Sequence, residues 1–181
     1  MQKTFFIDAN IDSTKSIADG KALKIAGYAN TTDKDRTGDV VLASAWAKGI
    51  ENFRRNPILL YQHDHNKPVG RITNIIVDKK GIFVEASISD SAESLYGIKT
   101  LIKDGVLKSF SVGFNVKEID YDRGSDVYFI KDVELLEISV VSVPANQNSL
   151  FSVKKSFETD SAYAEFKKQF LAEAAEIAEQ V

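Results

Sequence analysis

The run Val127–Val143 constrains this chain more than any other segment. It reads VYFIKDVELLEISVVSV and is followed by Pro144. Residues of this kind form a strand, and a proline stops ladder pairing, so the run is read as one long β-strand ending at Pro144. Five further segments carry the same signature: Leu23–Ala29, Ile58–Gln62, Val69–Val77, Ile82–Ile88 and Ser109–Val116. They are rich in Val, Ile, Phe and Tyr with partial alternation. Asp78-Lys79-Lys80-Gly81 predicts a hairpin turn closed by glycine, and Asp122–Asp126 predicts a second hairpin loop leading into the long strand.

Helical periodicity is confined to three places. Ala43–Phe53 is one, with Ser44 as a candidate N-cap. Ala92–Lys103 sets Leu95, Ile98, Leu101 and Ile102 on one face, with Gly105 placed to stop it. From about Ser161, Tyr163, Phe166, Phe170, Ala174 and Ile177 recur at helical spacing opposite Glu and Lys. This tail reads either as a helix docked on its own domain or as a partner contact. The predicted architecture is therefore mainly β with peripheral helices (α+β): an antiparallel β-barrel over residues 1–155 and a C-terminal amphipathic helix over 156–181.

Composition narrows the function classes. The 181 residues suffice for one domain with a substantial core. Cysteine is absent, which excludes thiolate chemistry and disulfides and fits a reducing cytoplasm. The N-terminus, MQKTFFIDANIDS, carries no secretory pattern, and no apolar run is long enough for a membrane span. Net charge is -3 and the basic residues are scattered, as in Arg54-Arg55 and Lys79-Lys80, which argues against a nucleic-acid surface.

Three segments carry candidate chemistry. Both histidines of the chain lie in Leu59-Leu60-Tyr61-Gln62-His63-Asp64-His65, just past an apolar strand. An imidazole there can titrate near neutral pH and reach a substrate. An extended backbone would turn His63 and His65 to one face and Asp64 to the other. A role-free polar strand end is the alternative. So is a zinc site built on the two histidines and a carboxylate, although no compact ligand motif is present.

The second segment is Leu107-Lys108-Ser109-Phe110-Ser111-Val112-Gly113-Phe114. Phe110, Val112 and Phe114 predict a core face, leaving Ser109, Ser111 and Gly113 on the other. Gly113 would leave open surface beside Ser111 for a substrate backbone. A serine hydroxyl needs a neighbouring base, and only His63 and His65 offer an imidazole. The third segment is the long strand itself. Its apolar run is interrupted by Glu137, which must be paired, hydrogen-bonded or solvated. Glu137 and Ser139 share a face, and a glutamate there can accept from a histidine nitrogen and fix its tautomer. The alternative for each segment is an ordinary polar outer face. The acidic loop Asp33–Asp39 lacks EF-hand spacing and reads as a structured turn.

Taken in order, these segments resemble the tailed-phage prohead serine proteases. Gly27-Tyr28-Ala29 leads to Asp35 and Gly38-Asp39-Val40-Val41. Leu59–Asp64 follows with Pro68-Val69-Gly70, then Leu107–Phe114, then Leu136-Glu137-Ile138-Ser139-Val140-Val141-Ser142-Val143-Pro144-Ala145-Asn146. The resemblance implies a barrel of the herpesvirus assemblin protease type with its site on the outside, and no cofactor or metal. It implies cleavage of scaffold and capsid precursors, and of the protease itself, inside an assembling prohead in the host cytoplasm. It matches Ser111 to the nucleophile and His63 to the general base. Assemblins use a second histidine as third member. None lies on this strand, so Glu137 is the candidate here, with Glu134 and His65 as fallbacks. A homodimer is expected by analogy, and neither nucleic acid nor membrane is expected as a partner. A non-catalytic capsid assembly module and a His-ligated metallohydrolase are the competing readings.

Overall fold

The computed structural model describes Phe5–Phe6 and residues 22–153. The expected C-terminal helix, and with it the boundary near residue 155, lies outside the described residues. Among the described residues, nine strands form one sheet: β1 (Phe5–Phe6), β2 (Leu23–Thr31), β3 (Asp39–Val41), β4 (Ile58–Tyr61), β5 (Asp64–Val77), β6 (Gly81–Ile88), β7 (Ser109–Asp122), β8 (Val127–Val141) and β9 (Phe151–Val153). The strand order is β3-β8-β4-β5-β6-β2-β9, with β1 on β5 and β7 on β8.

Two features depart from the expected antiparallel barrel. The long strand β8 takes β7 antiparallel but β3 and β4 parallel, so the sheet is mixed. The ladders also form an open path and not a closed ring. An isolated bridge, Ser109 to Leu150, joins the start of β7 to the residues just before β9. Two backbone bonds flank it, Phe110 N–H to Ser149 O at 2.8 Å and Phe151 N–H to Lys108 O at 2.9 Å.

The main core packs Ile25, Trp46, Leu59, Ile72, Ile82, Ile88, Phe110, Leu135 and Ile138, all at or near zero exposure. Fully burying an aromatic such as Phe110 is worth roughly 2–3 kcal/mol. Its ring meets Phe151 at 4.6 Å, which anchors β9 against β7. Ala26, Tyr28, Ile76 and Phe83 form a second cluster on the opposite face of β2, β5 and β6. Gly27 lies where a Cβ would run into the backbone of Leu150 and Phe151, so the close passage of that segment over β2 requires glycine.

The turns follow their residues. Asp78 Oδ1 accepts from Lys80 N–H and Gly81 N–H, and Gly81 takes φ +145°. Asp122 caps the second hairpin through Gly124 N–H and Ser125 Oγ. In the acidic loop, Asp35 Oδ1 accepts from Thr37 N–H, Thr37 Oγ1 and Asp39 N–H, which makes it the structured turn expected.

The helices are shorter than the periodicity predicts. Over the expected Ala43–Phe53 helix, only α1 (Trp46–Gly49) is α-helical, between 3-10 turns at Ala43–Ala45 and Phe53–Arg55. Ser44 sits inside the first turn and caps nothing. Trp46, the first residue of α1, is fully buried and meets Phe114 edge-on at 5.5 Å, and at its last residue, Gly49, a Cβ would meet Val133 O at 2.3 Å, so the short helix is fitted closely against β8. The second expected helix is split by Gly97, left-handed at φ 62°, into α2 (Asp90–Tyr96) and α3 (Ile98–Lys103). The break turns Leu95 out to 68% exposure while Ile98 and Ile102 stay in the core. Gly105, at φ 73°, lies just past the end of α3 as expected. No helix among the described residues is long and apolar enough to cross a membrane.

Candidate active site

The site is assembled on β8. Tyr61 pairs with Asp64, so Gln62 and His63 form a two-residue hairpin loop between β4 and β5. Both take positive φ, 56° and 58°, as the loop residues of a type I′ hairpin do. The extended backbone expected through His63 and His65 is therefore replaced by a tight turn. Neither residue is a natural turn former, and a left-handed non-glycine residue costs about 1–2 kcal/mol. Bonds to β8 hold the turn in place. Gln62 N–H donates to Val140 O at 3.0 Å, its side chain donates to Ser142 Oγ at 3.2 Å, and His63 N–H donates to Ser139 Oγ at 3.1 Å. The parallel register of β4 on β8, Leu60 opposite Ser139, delivers the loop to this point.

His63 and Glu137 meet there. His63 Nδ1 lies 2.7 Å from Glu137 Oε1. The imidazole is 44% exposed and the glutamate side chain 5%. An ionised carboxylate only accepts, so Nδ1 carries the proton, and in the neutral imidazole Nε2 keeps its lone pair. The second carboxylate oxygen, Oε2, accepts from Ser139 Oγ at 2.5 Å. The buried charge is thus hydrogen-bonded on both oxygens, as a charge in an apolar strand must be. The bond to Glu137 holds the His63 pKa above its ordinary 6.5, with partial burial opposing.

Ser111 stands on the same wall. It is the ladder partner of Ser139 across β7 and β8, and Gly113 is the partner of Glu137. Side chains at paired positions of antiparallel strands point to the same face, so Ser111 shares the face that carries Ser139 and Glu137. Phe110, Val112 and Phe114 take the core side as expected. Ser111 is only 4% exposed, which corrects the expectation of an open outer-face position. Among the described residues neither Ser111 Oγ nor His63 Nε2 makes a hydrogen bond, so hydroxyl and lone pair are both uncommitted. The serine–imidazole bond is not formed in this resting arrangement. Such bonds are often long without substrate and tighten in the complex.

Gly113 has a different role from the one its sequence context suggests. A Cβ there would lie 2.3 Å from Glu137 Oε1. The space it leaves is filled by the glutamate, not by a substrate backbone. The two fallback residues are elsewhere. Glu134 bonds Asn52 Nδ2 at 3.2 Å and pairs with Lys117. His65 lies in residues 65–67, which loop out of the β4–β5 ladder between the Tyr61–Asp64 and Leu60–Pro68 pairs, and it is exposed. Asp64 pairs with Lys67 and accepts from Asn66 N–H. No group of three or more His, Asp or Glu side chains among the described residues is placed to hold a metal.

Sequence reasoning did not assign roles to Ser139, Gln62 and Ser142. Ser139 carried a readable signal, since it lies two residues from Glu137 on one strand face. The loop bonds of Gln62 carried none, because they depend on the β4–β8 register. Asn146, read as a turn residue, is buried and ties three segments together. Its Nδ2 donates to Thr31 O at 3.0 Å and Asp33 O at 3.2 Å, and its Oδ1 accepts from Asn148 N–H at 3.0 Å. Arg36 Nε adds a bond to Pro144 O at 3.0 Å, fastening the loop after β2 to the segment that follows β8.

A serine, an imidazole and a carboxylate on one face can perform acyl transfer. The chain is 43% identical over 168 residues to the prohead protease of Escherichia phage T5, covering 92% of this chain and 79% of that one. It is 30% identical over 149 residues to the prohead protease of Enterobacteria phage HK97, covering 80% and 65%. Among solved structures, the bacteriophage T4 capsid assembly protease superposes with a TM-score of 0.57 at 10% identity, over 68% of this chain and 84% of that one. That likeness concerns the fold. The family model for caudovirus prohead serine proteases matches residues 9–163. The chain belongs to the caudovirus prohead serine protease family.

Proposed function

We propose that Ser111, His63 and Glu137 are the catalytic triad of this protease. The observation that carries the assignment is the 2.7 Å contact of His63 Nδ1 with the buried Glu137, two ladder pairs from Ser111 and on the same sheet face. Ser111 Oγ attacks the scissile carbonyl carbon while His63 Nε2 takes the hydroxyl proton. The imidazolium is stabilised by Glu137 and returns that proton to the leaving amine. Water then attacks the acyl-enzyme by the same route, releasing the acid and restoring Ser111. Backbone N–H groups would hold the oxyanion.

The reading extends to substrates and setting. The names of the T5 and HK97 relatives support cleavage of scaffold and capsid precursors, and of the protease itself, within an assembling prohead in the host cell. Residues 1–155 would form the protease unit. The Ser109–Leu150 bridge supports a ring in which β9 and β7 complete an assemblin-type barrel. A homodimer follows from the assemblin resemblance alone.

The test is chemical labelling. A fluorophosphonate probe should form an adduct at Ser111, mapped by peptide mass, and Ser111→Ala should lose both adduct and precursor cleavage while keeping the wild-type circular dichroism spectrum. Cleavage at the wild-type rate by Ser111→Ala would remove the assignment.

A further inference from the structure

We infer that Ser139 is a positioning residue: its hydroxyl ties the Glu137 carboxylate to the backbone of His63 and so sets the orientation of the imidazole. The inference rests on the triad reading above and extends it to a fourth side chain. Ser139 is fully buried. Its hydroxyl donates to Glu137 Oε2 at 2.5 Å and accepts from His63 N–H at 3.1 Å. Glu137 Oε1 in turn meets His63 Nδ1 at 2.7 Å. The three contacts form a closed cycle through three residues.

Each contact removes a separate freedom. A glutamate held at one oxygen can still rotate its carboxylate. Held at both, it presents a fixed lone pair to Nδ1. A histidine held only through its ring would leave its left-handed backbone unsupported. The bond from His63 N–H to Ser139 Oγ anchors that backbone to the strand that carries the glutamate. One hydroxyl, with a single proton and two lone pairs, can serve both partners at once. Alanine or valine at this place would serve neither.

The same bonds explain why Ser139 is not the nucleophile although it faces Ser111 across the ladder. Its proton is committed to a carboxylate, and its oxygen is occupied by an amide. Ser111, with no such partner among the described residues, keeps its hydroxyl available to Nε2.

The experiment compares Ser139→Ala and Ser139→Thr with wild type and Ser111→Ala, using a precursor-derived peptide. Ser139→Ala should lower kcat by about 100-fold with little change in KM, as a misplaced catalytic group does. The acid limb of its kcat/KM profile should move down toward the ordinary imidazole value of 6.5 as the bond from Glu137 slackens. Ser139→Thr keeps the hydroxyl and should restore most of kcat and the raised acid limb. A purely structural serine would leave the acid limb in place, and that result, or an unchanged kcat in Ser139→Ala, overturns the inference. The Ser111→Ala protein supplies a measurement that needs no change at 139. Its His63 backbone N–H, although at an exposed loop tip, should exchange at least about tenfold more slowly than an open amide. Open-amide exchange there also overturns the inference. Full cleavage by Ser111→Ala would instead remove the triad reading on which it rests.

Discussion

Gly113→Ala is the most economical probe of the site, because it adds one methyl group and no polar atom. In the folded protein that methyl would sit 2.3 Å from Glu137 Oε1 and 3.1 Å from both Cδ and Cγ. Ordinary contact for a Cβ begins at 3.4 Å. The carboxylate oxygen must therefore retreat by about 1 Å, the difference between 3.4 and 2.3 Å. It cannot do so and keep a 2.7 Å bond to His63 Nδ1. The obstacle is the end of a flexible side chain and not the backbone, so the fold should survive the change. A displacement of about 1 Å in a catalytic group lowers rate by roughly 10²-fold, and complete loss of the acid's orienting role by roughly 10⁴-fold. Gly113→Ala should fall between these limits in kcat/KM on a precursor-derived peptide. Its thermal midpoint should stay near wild type, and the acid limb should shift down toward 6.5 as Glu137 releases the imidazole. Activity within a factor of about three of wild type, with an unmoved acid limb, would mean that the glutamate does not orient the base; a true 1 Å displacement costs far more.

The remaining expectations follow from the same geometry. His63→Ala should lower turnover by about 10⁴-fold or more, whereas His65→Ala should be near neutral, because His65 lies in the exposed segment 65–67; equal losses in peptide cleavage would undo the assignment. Glu137→Gln weakens the hydrogen bond that chiefly raises the His63 pKa and removes the carboxylate charge that adds to it, so its acid limb should lie below that of wild type when kcat/KM is followed against pH. Stability should run in the opposite sense. A folded-state pKa raised above 6.5 contributes stability that is complete below about 6.5 and is lost as pH rises through the folded value. In a Ser111→Ala background, which cannot cleave itself, Glu137→Gln should flatten that part of the denaturation profile, and an unchanged profile would contradict the linkage. Gly27→Ala drives a Cβ into the Leu150 backbone and should destabilise the domain by about 3 kcal/mol or more in urea melts; a wild-type midpoint would show that the segment before β9 passes elsewhere.

How far the residues alone reach depends on whether a feature is local. The faces of β7 and β8 were legible because strand alternation places Phe110, Val112 and Phe114 against the core and Glu137 beside Ser139. The Asp78–Gly81 turn was legible because its own side chain and glycine build it. The loop at Gln62 and His63 was not. Neither residue favours a positive φ, and the turn is imposed by bonds to Val140, Ser139 and Ser142 on another strand. Strands β3 and β9 carry too few residues to show a period, and β3 and β4 owe their parallel alignment to β8. The helix expected over Ala43–Phe53 is only partly formed: α1 begins at Trp46 and ends at Gly49, where the backbone passes against Val133 on β8. The role of Gly113 was misread because a missing side chain makes room equally well for a substrate or for a neighbour, and only coordinates reveal which.

The parallel seam between β4 and β8 has a consequence for timing. Ser111, Ser139 and Glu137 lie on one hairpin and can come together early, through contacts between chain neighbours. The imidazole arrives from the far side of β8, 74 residues away along the chain from its glutamate. On the proposed triad, Ser111 has no base until that distant seam forms. A copy in which β4 has not paired with β8 would therefore lack the proposed general base, so activity requires the whole sheet and not the β7–β8 hairpin alone.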